Sequence, residues 1–144
     1  MTATLDESPD RHRWTFDAHR ITRLSVEPFA LRIETWTLES SAEVRIAAPF
    51  RYREPDGSAR TIDPAESEQL APLLALLQRR LESLEIARDG EITLRFGDGS
   101  ELHCVPRRSD TGTPWPAWEL HGGGALEGIE YRGVTGEPPW PMRA

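Results

Sequence analysis

Two Asp-Gly pairs, Asp89-Gly90 and Asp98-Gly99, lie on either side of EITLRF in the stretch ARDGEITLRFGDGSELHCV. Carboxylates next to glycines are the raw material of calcium loops. An EF-hand loop, however, needs oxygen ligands at alternate positions and a closing Glu, and here strand-forming residues fill that space. For zinc, the candidate ligands are Cys104 and His12, His19, His103 and His121, with neither CxxC nor HxxxH spacing. No metal and no cofactor is expected. A Cys104 nucleophile would need an imidazole beside it, but His103 precedes it directly, and successive strand residues point to opposite faces. Cys104 therefore reads as a small buried hydrophobe.

Other chemistry fares no better. No GxSxG elbow surrounds a serine, and Ser100 falls in a turn. The pairs Glu66 and Glu68, and Glu82 and Glu85, belong to a solvated helix face or its exit. Gly122, Gly123 and Gly124 are followed by no phosphate-binding fingerprint and read as a flexible turn. All seventeen basic residues are Arg, so Schiff-base chemistry and a P-loop lysine are excluded. No catalytic residue is assigned. Trp115, Trp118 and Trp140 are the candidate partner or ligand contacts, since Trp anchors interfaces; it also closes small cores, and Trp118 suits that second role best.

The elements that would position these residues follow from periodicity. Residues 1–12 are polar, include Pro9, and read as a disordered lead. ITRLSV (21–26), ALRIETWTL (30–38) and EVRIAAPFRYR (43–53) alternate well enough to be strands. In TIDPAESEQLAPLLALLQRRLESL the period lengthens: Asp63 can cap, Pro64 suits a first helical position, and Glu66 could close a capping box. Pro72 shifts the main helix to about 71–81, with Leu70, Leu73, Leu74, Leu77 and Leu81 as its buried stripe.

Register then decides the Asp-Gly pairs. Three-residue loops at Arg88-Asp89-Gly90 and Gly97-Asp98-Gly99 set Ile86 against Ile92, Leu94 against both Leu84 and Leu102, and Ile92 against Cys104. Arg95 then meets Glu101 on the other face. A two-residue loop would place Leu94 opposite His103 and mix the faces. The aspartates are thus the middles of type I turns, with Gly90 and Gly99 at the left-handed bulge position. Pro55-Asp56-Gly57 repeats the chemistry and pairs Phe50 with Ile62. Beyond them, 106–116 is a long loop, 117–120 a last strand, and 132–144 a Gly/Pro-rich tail, partly docked.

The chain of 144 residues suits one domain, taken as 13–131. Its net charge of -7 argues against holding a nucleic-acid backbone, though a local basic patch is compatible with it. A single cysteine allows no intrachain disulfide, the first residues do not read as a secretion signal, and no apolar run could span a bilayer. A cytoplasmic protein that avoids membranes is the expectation, as a monomer or weak homodimer.

The series EVRIAAPFRYREPDG, IDP, LAPLLALL, DGEITLRFGDGSEL, AWEL, IEYRG and GEPPWP, over roughly residues 20–141, resembles a family of short bacterial proteins catalogued as a domain of unknown function. The resemblance implies a bacterial stand-alone domain and supplies no catalytic or ligand residue. The expected fold is α+β: an antiparallel, meander-rich sheet, curved or in two layers, with one main helix packed on it. The leading functional expectation is a non-catalytic interaction module of accessory or immunity type, steered by its acidic charge to a basic protein partner. The alternatives are a small-ligand binder with a pocket between sheet and tail and, last, a small enzyme.

Overall fold

The computed structural model describes residues 3–17, 19–106, 116–124, 126, 129–134 and 139. Twelve strands follow in chain order: β1 (Ala3–Glu7), β2 (Arg11–Phe16), β3 (Ile21–Glu27), β4 (Ala30–Trp36), β5 (Ser40–Ile46), β6 (Phe50–Arg53), β7 (Ala59–Ile62), β8 (Leu81–Ala87), β9 (Ile92–Phe96), β10 (Glu101–Cys104), β11 (Trp118–Gly124) and β12 (Glu130–Gly133). They form a seven-stranded sheet, ordered β1-β2-β8-β9-β10-β6-β7, and a five-stranded sheet, ordered β12-β11-β5-β4-β3. Every pairing is antiparallel. The antiparallel architecture expected from the sequence is therefore observed, as two sheets, and the fold is mostly β with one short helical segment.

The inner faces share one core. Trp14, Phe16, Leu84, Ile86, Leu94, Phe96, Leu102, Phe50 and Tyr52 come from the larger sheet; Leu31, Ile33, Val44, Ile46, Trp118 and Leu120 come from the smaller one. Burying each large apolar side chain contributes roughly 1.5–3 kcal/mol, so this shared interior is what holds the sheets together. The register expected around β9 is observed. Leu94 lies opposite Leu84 and Leu102, Ile92 opposite Ile86 and Cys104, and Arg95 opposite Glu101, while Phe50 pairs with Ile62.

The helix expected at about 71–81 is absent. A 3₁₀ segment spans Ser67–Leu76 instead, and Leu81–Ala87 is strand β8. The apolar positions explain the correction: a 3₁₀ turn takes three residues, so Leu70, Leu73 and Leu76 stack inward while Leu74 and Leu77 are exposed. Pro72 lacks the N–H an α-helical ladder would use. Asp63 does accept from the backbone N–H of Ala65 at 2.9 Å, but Gln69, not Glu66, reaches back to the N–H of Asp63, also at 2.9 Å.

Four further boundaries move. The lead expected to be disordered over 1–12 contains β1 and the start of β2, whose His12, Trp14 and Phe16 point inward between exposed Arg11, Arg13 and Thr15. EVRIAAPFRYR is two strands: the chain leaves β5 for the other sheet across Ala47–Pro49, and Ala47 N–H bonds to Ala117 at 2.8 Å. The glycine run is the end of β11, paired along β5 as far as Gly124 opposite Ser40, rather than a turn. Gly124 needs its φ of +61°, and a β-carbon there would lie 2.3 Å from the carbonyl oxygen of Glu39. Finally, β12 runs through the boundary placed between 131 and 132, and Val134 beyond it is buried; most of the tail lies outside the described residues.

Candidate functional site

The three Asp-Gly corners are built alike. Gly57, Gly90 and Gly99 have φ of +92°, +97° and +88°. In each corner the aspartate accepts the backbone N–H two residues on: Asp56 from Ser58 at 2.8 Å, Asp89 from Glu91 at 3.0 Å and Asp98 from Ser100 at 2.9 Å. The carboxylates replace backbone turn partners, and Asp89 and Asp98 sit at opposite ends of β9. The hydroxyl and then the N–H of Ser58 hold the Asp56 carboxyl below its usual range. Among the described residues, no three His, Cys, Asp or Glu side chains are grouped to hold a metal ion.

The histidines are dispersed. His12 Nδ1 meets the Tyr131 hydroxyl at 3.0 Å, His103 faces Glu91 at 3.5 Å, and His121 faces Glu130 at 3.7 Å. Cys104 is fully buried, on the face opposite His103, so these two do not form a thiolate–imidazole couple. The closest approach to a nucleophile and base was not visible in the sequence. His19 Nδ1 lies 2.9 Å from the Asp17 carbonyl, which can only accept, so in the neutral ring Nε2 accepts the Ser40 hydroxyl, also 2.9 Å away. Both residues are buried, and Thr37 Oγ1 stands 3.1 Å from the Ser40 hydroxyl. Thr37 also accepts the Ser40 backbone N–H at 3.0 Å. The group satisfies the polar atoms of the β4–β5 turn against the core, and no local spacing could have joined residues 21 apart.

A more open arrangement lies on the outside of the larger sheet. Arg51 and Arg53 alternate with the inward Phe50 and Tyr52 along β6, and β10 sets His103 opposite Arg51 and Glu101 opposite Arg53. These four side chains line a hollow of about 210 Å³. Arg53 donates to Glu101 at 3.1 Å, and Arg95 approaches the same carboxylate oxygen at 3.3 Å. Arg51 has no carboxylate within ion-pair distance among the described residues.

The family model described as "Family of unknown function (DUF6188)" matches residues 13–127. The chain belongs to the DUF6188 family. No curated protein and no solved structure matches it. Family membership for this DUF6188 chain therefore names no ligand, and the candidate contacts must be judged by their placement. Trp118 is in the core, fully buried, with its indole N–H donating to the Gly90 carbonyl at 2.8 Å. That bond ties the smaller sheet to the β8–β9 corner, which is the core role that suited Trp118 best of the three. Trp115 and Trp140 lie outside the described residues. The DUF6188 chain instead exposes Val26 and Phe29 at the β3–β4 turn, and Trp36 and Leu38 at the β4–β5 turn. Phe29 also has φ of +68°. Among the described residues no helix is long and apolar enough to cross a membrane.

Proposed function

We propose that this DUF6188 protein is a non-catalytic binding module that inserts the Val26–Phe29 tip into an apolar pocket on a basic protein partner. The observation that carries the reading is Phe29 itself. In the turn Glu27-Pro28-Phe29-Ala30, Pro28 fits the first central position and the second requires positive φ, which glycine or asparagine meets at least cost. A phenylalanine there costs about 1–2 kcal/mol relative to an unstrained backbone. It is also 71% exposed, so it regains little of that by burial. A side chain that suits neither its backbone nor its solvent is explained by a partner that covers it. The chain's charge of -7 would speed encounter with a basic surface.

Phe29→Gly separates this role from folding. The variant is expected to unfold at a higher temperature, by a few degrees for about 1 kcal/mol in a domain of this size, while losing the partner. The measurement is a calorimetric scan beside affinity capture from the source cells, with wild-type and Phe29→Gly baits at equal loading. If both baits retain the same proteins in equal yield, or neither retains any, the tip is not the binding element.

A further inference from the structure

We infer that the hollow on the outside of β6 and β10 is a binding site for a small phosphomonoester, with Arg51, Arg53 and His103 as its donors. This inference rests on different residues from the Val26–Phe29 tip and stands or falls separately. Arg51 and His103 are a cross-strand pair, and Arg53 follows two residues along the same face of β6. Directly opposed side chains start about 4.5–5.5 Å apart at Cβ and diagonal ones about 7–8 Å, so three flexible donors can close on one group from three directions. A planar carboxylate is satisfied by a single guanidinium fork. A tetrahedral dianion offers oxygens to all three.

The charge around the site explains why it can accept an anion in an acidic protein. Glu101 is the carboxylate that lines it, and Arg53 and Arg95 both hold that carboxylate, at 3.1 and 3.3 Å. The next carboxylate is engaged as well, Glu54 with Arg60 at 3.1 Å, while Glu91 lies 3.5 Å from the His103 ring and would give up that contact as His103 turns to the anion. Arg51 is left with its guanidinium unmatched by any carboxylate among the described residues, on an exposed strand face. Size restricts the ligand. A hollow of about 210 Å³ is below the roughly 300–1,000 Å³ typical of sites for larger cofactors and drug-sized molecules. It suits a phosphate group with a short alcohol attached.

The test is calorimetric titration of the full-length protein with inorganic phosphate, glycerol 3-phosphate and vesicles containing phosphatidate, repeated with sulfate. The expected result is glycerol 3-phosphate binding with a dissociation constant near or below about 1 mM, weakened about tenfold or more in Arg51→Gln. Arg51→Lys should keep part of the affinity. Arg13→Gln serves as the control: Arg13 is on the same sheet face but separated from Arg51 by β8, β9 and β10, and its loss should leave binding unchanged. Unaltered melting of each variant separates lost contact from lost fold, and shifts of the His103 ring resonances on ligand addition locate the site. Binding to vesicles alone, equal loss in Arg13→Gln, or only weak and unselective uptake of every anion, an adventitious ion only, would each overturn the assignment.

Discussion

On the outside of the five-stranded sheet, Glu27 meets Arg32 at 2.7 Å and Arg45 at 3.0 Å, Arg32 also meets Glu43, and Arg23 lies 3.7 Å from Glu34. The seven-stranded sheet carries the same residue types at the same alternate positions with a different result. Arg95 bridges Glu85 at 3.1 Å and Glu101 at 3.3 Å, whereas Arg13 and Arg51 have no acidic partner among the described residues. Neither arginine lacks a carboxylate nearby. Glu85, opposite Arg13, is taken by Arg11 at 2.7 Å and by Arg95; Glu101, beside Arg51, is taken by Arg53 and Arg95. Alternation makes a face polar, and what each cross-strand neighbour already holds decides whether a charge on it is matched.

The strongest way to break the comparison is to uncouple the two faces. Trp118 fills the shared core and donates to Gly90 across it, and a β-carbon on Gly133 would lie 2.0 Å from the indole nitrogen. Trp118→Ala should cost about 3–5 kcal/mol, as large aromatic truncations in cores do. Gly133→Ala should also destabilise, because it drives the indole from its acceptor. Urea unfolding measures both. A cost below about 1 kcal/mol for Trp118→Ala would mean that the sheets do not depend on each other through this residue.

A smaller effect sharpens the contrast directly. Glu27→Gln removes the carboxylate shared by Arg32 and Arg45, whose side chains are 37% and 34% exposed, so solvent screening limits the loss to about 1 kcal/mol. Arg51→Gln should change stability by less than about 0.5 kcal/mol, because no ion pair is broken. Added salt should narrow the gap between the two variants. Equal costs for both, measured in the same unfolding series, would remove the distinction between a matched and an unmatched face.

How much of this could be read beforehand depends on distance along the chain. The β8–β9–β10 meander was legible because its corners are local: a glycine with positive φ after an aspartate fixes loop length, and loop length fixes which leucine meets which. The 3₁₀ segment was not, because Leu70 and Leu73 satisfy a period of three and one of 3.6 equally. Leu76, buried where an α-helical stripe would bury Leu77, and Leu74, exposed where that stripe would bury it, tell them apart. The switch of sheets across Ala47–Pro49 leaves the inward alternation of Ile46, Phe50 and Tyr52 in phase, so the pattern shows no break. The Ser40–His19 bond and the unmatched Arg51 depend on partners brought together by sheet order, which no spacing displays.

The smallest predicted effect concerns a carboxylate close to Arg51 in sequence that does not serve it. Asp56 accepts both the hydroxyl and the N–H of Ser58, and these bonds, the hydroxyl first, hold its carboxyl below the usual range. A depressed carboxyl adds stability that is present above its unfolded value, about 3.9, and is lost as pH falls through the lower folded value. Asp56→Asn keeps a side-chain acceptor for the turn and removes the charge. Its unfolding midpoint should therefore fall slightly short of the wild type at neutral pH, and the two should converge below about pH 4. Phosphate affinity should be unchanged, because Asp56 answers to Ser58 and not to Arg51. If the variant instead binds phosphate several-fold more tightly, Asp56 is neutralising Arg51 in solution, and both faces of the sheet pair are matched after all.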